Sequence, residues 1–149
     1  MPLSRCLYFS TATDLDPLPH QLRQIVADSQ ANNLRLSITG CLIQVGQTYI
    51  GCLEGRRMHI SSRLLAIARD PRHTALTLIS YREVDTRWFA GWSLLQPPLH
   101  TVLGLIDRVA VDHHFEPRDY REGTYEQLFQ DIAALHPVAQ AETLLEWGA

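Results

Sequence analysis

A chain of 149 residues, 46% apolar and 19% charged, holds enough material for one compact core and too little for two comfortable ones. This composition excludes a disordered or fibrous protein, and a net charge of −3 offers no basic stripe of the kind that nucleic-acid binders carry. Arg56, Arg57, Arg69, Arg72 and Arg82 are scattered among acids and read as a solvated surface. No apolar run approaches the roughly 18–20 residues of a membrane span. The stretch after Arg5 is too polar for a signal peptide. Cys6, Cys41 and Cys52 are odd in number and lack metal-finger spacing, so reduced thiols in a cytoplasmic protein are expected.

Leu3 to Ser10 reads as a first strand. Asp16-Pro17 marks a helix start, and Leu18, Leu22, Ile25, Val26 and Ser29 follow at helical spacing up to Asn32-Asn33. Leu36–Val45 and Thr48–Leu53 are strand-like runs separated only by Gly46-Gln47, which suits a type II′ hairpin turn. That turn fixes the register and sets Cys41 opposite Cys52. Met58–Arg69 forms a second amphipathic helix on Ile60, Leu64 and Ile67, stopped by Asp70-Pro71. Leu76–Tyr81 and Trp88–Leu95 supply two further strands. The order βαββαββ predicts an α+β, ferredoxin-like mixed sheet with both helices on one face. Residues 1–97 then form one unit. Residues 98–149, with helices near 101–109, 124–135 and 139–147, are expected to cap the other face, because about 50 residues are too few to fold alone.

The chemistry visible in single residues is sparse. Asp112-His113-His114 lacks a third ligand at helical spacing, so a solvated loop outweighs a metal site there. Neither a nucleophile with its base nor a Gly-rich phosphate loop is present, so an enzyme is not expected. Taken alone, Tyr8 reads as a core aromatic and Asn33 as a helix end.

Several short stretches in a fixed order say more. They are Tyr8-Phe9-Ser10, Asn32-Asn33 with Ile38-Thr39-Gly40, Leu53-Glu54-Gly55, and Asp70-Pro71-Arg72-His73 with Phe89-Ala90-Gly91-Trp92. With these separations the chain resembles the BLUF family of blue-light sensors that use flavin, over about residues 3–97. The resemblance implies a flavin, FAD or FMN, between the two helices and sandwiched by Ile25 and Ile67. Asn33 would bond its carbonyl edge, helped by Asp70 and His73. Tyr8 would give an electron and a proton to the excited ring. The family's tryptophan matches Trp92, and its common methionine becomes Leu94. Two departures stand out. Gly51 occupies the position of the photoactive glutamine, and Ala66 that of a basic residue, for which Arg63 one turn earlier could substitute.

A glutamine amide offers two donors and an acceptor, and glycine offers none. Gly51 is expected to leave a gap large enough for water and to impair photoswitching. The function implied is a flavin-binding signalling protein that acts through protein–protein contact, as a homo-oligomer or on a partner. Leu135, Leu144, Leu145 and Trp147 are expected to supply part of that contact surface. The alternative is a flavin-free module that keeps the fold for regulation.

Overall fold

The computed structural model describes residues 2–13, 19–109 and 115–137. Asp16-Pro17, the Asp112–His114 run, the expected helix at 139–147, and Leu144, Leu145 and Trp147 lie outside them. Period-two alternation in the strands builds the core. In β1 (Leu3–Ala12), Cys6 and Tyr8 point to one side of the sheet, and Leu7 and Phe9 to the other. The strands β2 (Thr39–Val45), β3 (Thr48–Gly55) and β4 (His73–Val84) complete an antiparallel sheet of order β2-β3-β1-β4. The two-residue turn forms as expected, with positive φ at Gly46 alone, and Cys41 pairs with Cys52. All three cysteines are free and buried, and burial pushes the Cys6 thiol up to about 12.

Helices α1 (Pro19–Arg35) and α2 (Arg57–Arg69) cover the face that carries Tyr8 and Leu53. Helices α3 (Leu99–Val109) and α4 (Glu122–Leu135) cover the face that carries Leu7, Ile43 and Ile50. There Phe129 and Ile132 are fully buried, and Phe89 meets Phe129 edge to face. The fold is therefore the expected ferredoxin-like α+β arrangement, with all four described strands antiparallel rather than in a mixed sheet. No helix among the described residues is long and apolar enough to cross a membrane.

The expected strand at Trp88–Leu95 does not form. Only Leu95 makes a β-bridge, parallel to Cys41, and Gly40 N–H donates to Trp92 O. The reason is the buried Glu54 carboxylate, which collects the Trp88 and Phe89 N–H groups at 2.7 and 3.0 Å. It also accepts from Arg5 Nε at 2.9 Å and Thr39 Oγ1 at 3.0 Å. The Arg5 guanidinium lies 3.5 Å from the Trp88 ring centroid. Backbone N–H groups spent on a side chain cannot enter a strand ladder.

Helix α1 runs two residues past Asn33. Ile38 N–H returns to Asn33 O at 2.9 Å, and Ser37 N–H to Leu34 O at 3.3 Å, with Ser37 left-handed at φ 55. This is a Schellman ending built without glycine. The Ser37 carbonyl accepts from Arg87 at 2.8 Å. Asn33 is thus a fixed position of the last turn rather than a loose helix end.

Candidate functional site

A cavity of about 750 Å³ opens between α1 and α2 above the sheet. Tyr8 and Ser10 of β1 with Tyr49 and Leu53 of β3 line its floor. Ile25 and Asn33 line it from α1, Arg63 and Ile67 from α2, and the turn Asp70–His73 forms part of its rim. All six residues expected to hold a cofactor, Tyr8, Ile25, Asn33, Ile67, Asp70 and His73, therefore meet at one place.

The cavity is lined by groups whose hydrogen-bonding capacity is unspent. Asn33 is 1% exposed; its Nδ2 donates to Ser93 O at 2.9 Å, while its Oδ1 is buried without a partner. Ser10 Oγ, His73 Nδ1 and Arg63 Nε are likewise buried and unpartnered. An unsatisfied buried polar atom costs about 1–3 kcal/mol. Four of them around one cavity mark a place where a ligand completes the bonding.

The rim is electrostatically asymmetric. Asp70 is fully engaged by Arg72, through the backbone N–H at 2.9 Å and the guanidinium at 2.6–3.0 Å. Arg72 also reaches Asp28 of α1 at 3.0 Å, so it ties α1 to the turn after α2 across the mouth. The hydrogen bonds from Arg72 hold the Asp70 carboxyl below its ordinary range. Arg72 is thus a structural tie rather than solvated surface, and Asp70 serves Arg72 rather than pointing a free carboxylate inward. Burial lowers the His73 imidazole below 6.5, partly opposed by Asp70. Burial also lowers Arg63, and it raises the Tyr8 phenol far above the physiological range, so Tyr8 stays protonated.

No gap stands at Gly51. Tyr8 is the cross-strand partner of Gly51, and its ring lies over the glycine. A Cβ added at Gly51 would collide with Tyr8 Cζ and stand 2.5 Å from both Cε1 and Oη. The expected water-sized space is filled by the phenol itself, because an aromatic ring settles onto a facing residue that has no side chain. Leu94 lines the cavity beside Tyr49 and Leu42. Trp92 does not. It packs toward the α3/α4 core, and its Nε1 donates to His136 O at 2.9 Å, at the end of α4.

Ser10, Tyr49, Asp28 and Arg72 are among the lining residues beyond those expected to hold a cofactor. The sequence carries a signal for Ser10, since it follows Tyr8 by two on a strand and shares its face. Tyr49 stands in the same relation to Gly51. Nothing in the sequence marks the Asp28–Arg72 tie, which joins residues 44 apart.

The family model for BLUF, "Sensors of blue-light using FAD", matches residues 3–95. This chain belongs to the BLUF family. It is 31% identical over 112 residues to the photoactivated adenylate cyclase subunit beta of Euglena longa, and 30% identical to that of Euglena gracilis. The matches cover 68% of this chain and 13% of those proteins. The dark-state structure of the BLUF protein BlrB superposes with TM-score 0.73 at 27% identity, covering 90% of this chain and 97% of that one. BlsA in its photo-activated state gives 0.76 at 19% identity, over 93% and 96%, a likeness of fold alone.

The residues present fit a flavin. Ile25 and Ile67 offer apolar walls, and Asn33, Arg63, Ser10 and His73 offer unspent donors and acceptors for the polar edge of a flat heteroaromatic ring.

Proposed function

We propose that this chain binds a flavin, FAD or FMN, in the α1/α2 cavity and reports its state through protein contact, without a catalytic activity of its own. The observation that carries this reading is the convergence of four orphaned buried polar atoms on one cavity. When bound, the flavin would supply the absorption of blue light and an excited state able to accept an electron. Tyr8, which lines the cavity floor, would give up that electron and its phenolic proton. Asn33 orients the ring's polar edge through Oδ1 while its Nδ2 keeps hold of the 93–95 segment. Trp92, bonded to the end of α4, is the route by which that segment reaches the C-terminal helices. A partner effector is in keeping with the cyclase relatives, and the exposed Leu99, Leu103 and Leu135 of α3 and α4 offer apolar contact area.

The same reading sets a limit. Gly51 supplies no amide to hold a rearranged hydrogen-bond network, and with Tyr8 lying on it no water takes the amide's place. Charge separated by light therefore recombines, and no red-shifted state persists. The test is the absorption spectrum of the purified protein supplied with FAD or FMN, before and after a blue pulse. Oxidised-flavin bands without a shift lasting seconds are expected. A colourless protein that does not take up either flavin would overturn the binding, and a long-lived red shift would overturn the role given to Gly51.

A further inference from the structure

The cavity lining carries three guanidinium groups, Arg63, Arg69 and Arg72, against two carboxylates, Asp28 and Asp70. Both carboxylates close on Arg72. Arg69 is exposed at the end of α2, so its charge is met by solvent. Arg63 differs. It is half-buried, its Nε is buried without a partner, and it makes no ion pair among the described residues. Its neighbour Tyr8 offers no counter-charge, because burial keeps the phenol protonated. The cavity therefore holds one half-buried positive charge that no carboxylate contacts, with Asp70, already bound to Arg72, acting on it only from a distance.

From this geometry we infer that the cavity prefers the two-electron-reduced, anionic form of a flavin over the neutral oxidised form, with Arg63 as the residue that sets the preference. The inference rests on the flavin reading above and adds a redox dimension to it. Two electrons and one proton convert the neutral oxidised ring into the singly charged reduced anion. In a cell the electrons would come from a reduced nicotinamide or a dithiol. Contacts to the ribityl and phosphate groups are common to both forms and cancel. What differs between the forms is the ring's charge, and an opposite charge a few ångströms away favours the charged form by roughly tenfold or more. A ligand form bound more tightly is populated in proportion to that differential affinity. Arg63 is thus a specificity-determining residue for the oxidation state of the ligand, and the protein responds to reducing conditions where its response to light does not persist.

The experiment measures the dissociation constant of FAD twice on the full chain, aerobically for the oxidised form and anaerobically with dithionite for the reduced form. The midpoint potential of the bound couple, read against a reference dye, is an independent check. The unmodified protein should bind reduced FAD about tenfold more tightly, or more, which raises the two-electron potential by about 30 mV per tenfold. Arg63→Gln should bring the affinity ratio close to one, and Arg63→Lys, which keeps the charge, should retain most of it. Equal affinity for the two forms in the unmodified protein, or a ratio that survives Arg63→Gln, would overturn the inference and leave flavin binding standing. Failure to bind FAD in either form takes both readings down.

Discussion

The two faces of the one sheet are built to opposite rules. On the α3/α4 face, Phe89, Phe129, Ile132 and Ile50 fill the space so completely that each is 1% exposed or less. On the α1/α2 face, β1 and β3 present Ser10, Tyr8 and Tyr49 to a cavity, with Asn33 and His73 beside them holding unspent polar atoms. A close-packed face contributes stability, and a face with orphaned polar groups gives some up so that a ligand can restore it. The contrast places the site independently of any motif.

Substitutions on the two faces should differ even in sign. Phe129→Ala on the packed face should destabilise the protein by about 3–5 kcal/mol in urea unfolding, the largest effect expected. A loss below about 1 kcal/mol would show that α4 is not part of the cooperative core. Ser10→Ala on the open face removes an orphaned hydroxyl, so the flavin-free protein should become more stable by about 1 kcal/mol while flavin affinity falls. If that variant is destabilised instead, the hydroxyl has a partner and the comparison between the faces weakens.

The pH dependence belongs to the open face as well. The His73 imidazole is depressed in the folded chain, so above its ordinary value of 6.5 it is neutral in both states and contributes no slope. As pH falls below 6.5, the unfolded chain takes up the proton first, and stability declines until the folded value is passed. Stability measured between pH 7.5 and about 5 should show this loss, and His73→Phe should flatten its share of it. The smallest effect concerns the end of α1. Ser37→Gly removes the left-handed penalty on a residue with a side chain and should stabilise by about 0.5–1 kcal/mol, read as a rise in the thermal midpoint.

Much of this was legible before the structure. The Gly46-Gln47 turn set the Cys41–Cys52 register, because a two-residue loop leaves the pairing no freedom. The motif order brought Ile25, Asn33, Ile67 and His73 to one cavity. What escaped depends on side chains that act at a distance. The apolar run Trp88–Leu95 has a strand's composition, but Glu54, 34 residues away from Trp88, takes its first two backbone donors. The end of α1 is hidden in the sequence because its Schellman turn carries serine where glycine is the usual signal. The posture of Tyr8 over Gly51 is a choice of side-chain orientation, which neither spacing nor propensity encodes.

Glu54 also bears on how the molecule comes together in time. Its carboxylate is completed by Arg5, Thr39, Trp88 and Phe89, separated from it by 49, 15, 34 and 35 residues. Thr39 faces Glu54 within the local β2–β3 hairpin, but the Arg5, Trp88 and Phe89 contacts each close a long loop before they return any energy, so the full set forms late. Interactions absent from the transition state act on the unfolding limb of a chevron plot. Glu54→Gln should therefore hasten unfolding and leave refolding nearly unchanged, whereas a matching slowdown in refolding would place the cluster in the nucleus. On this account the buried carboxylate governs how long the native chain lasts more than how fast it is reached.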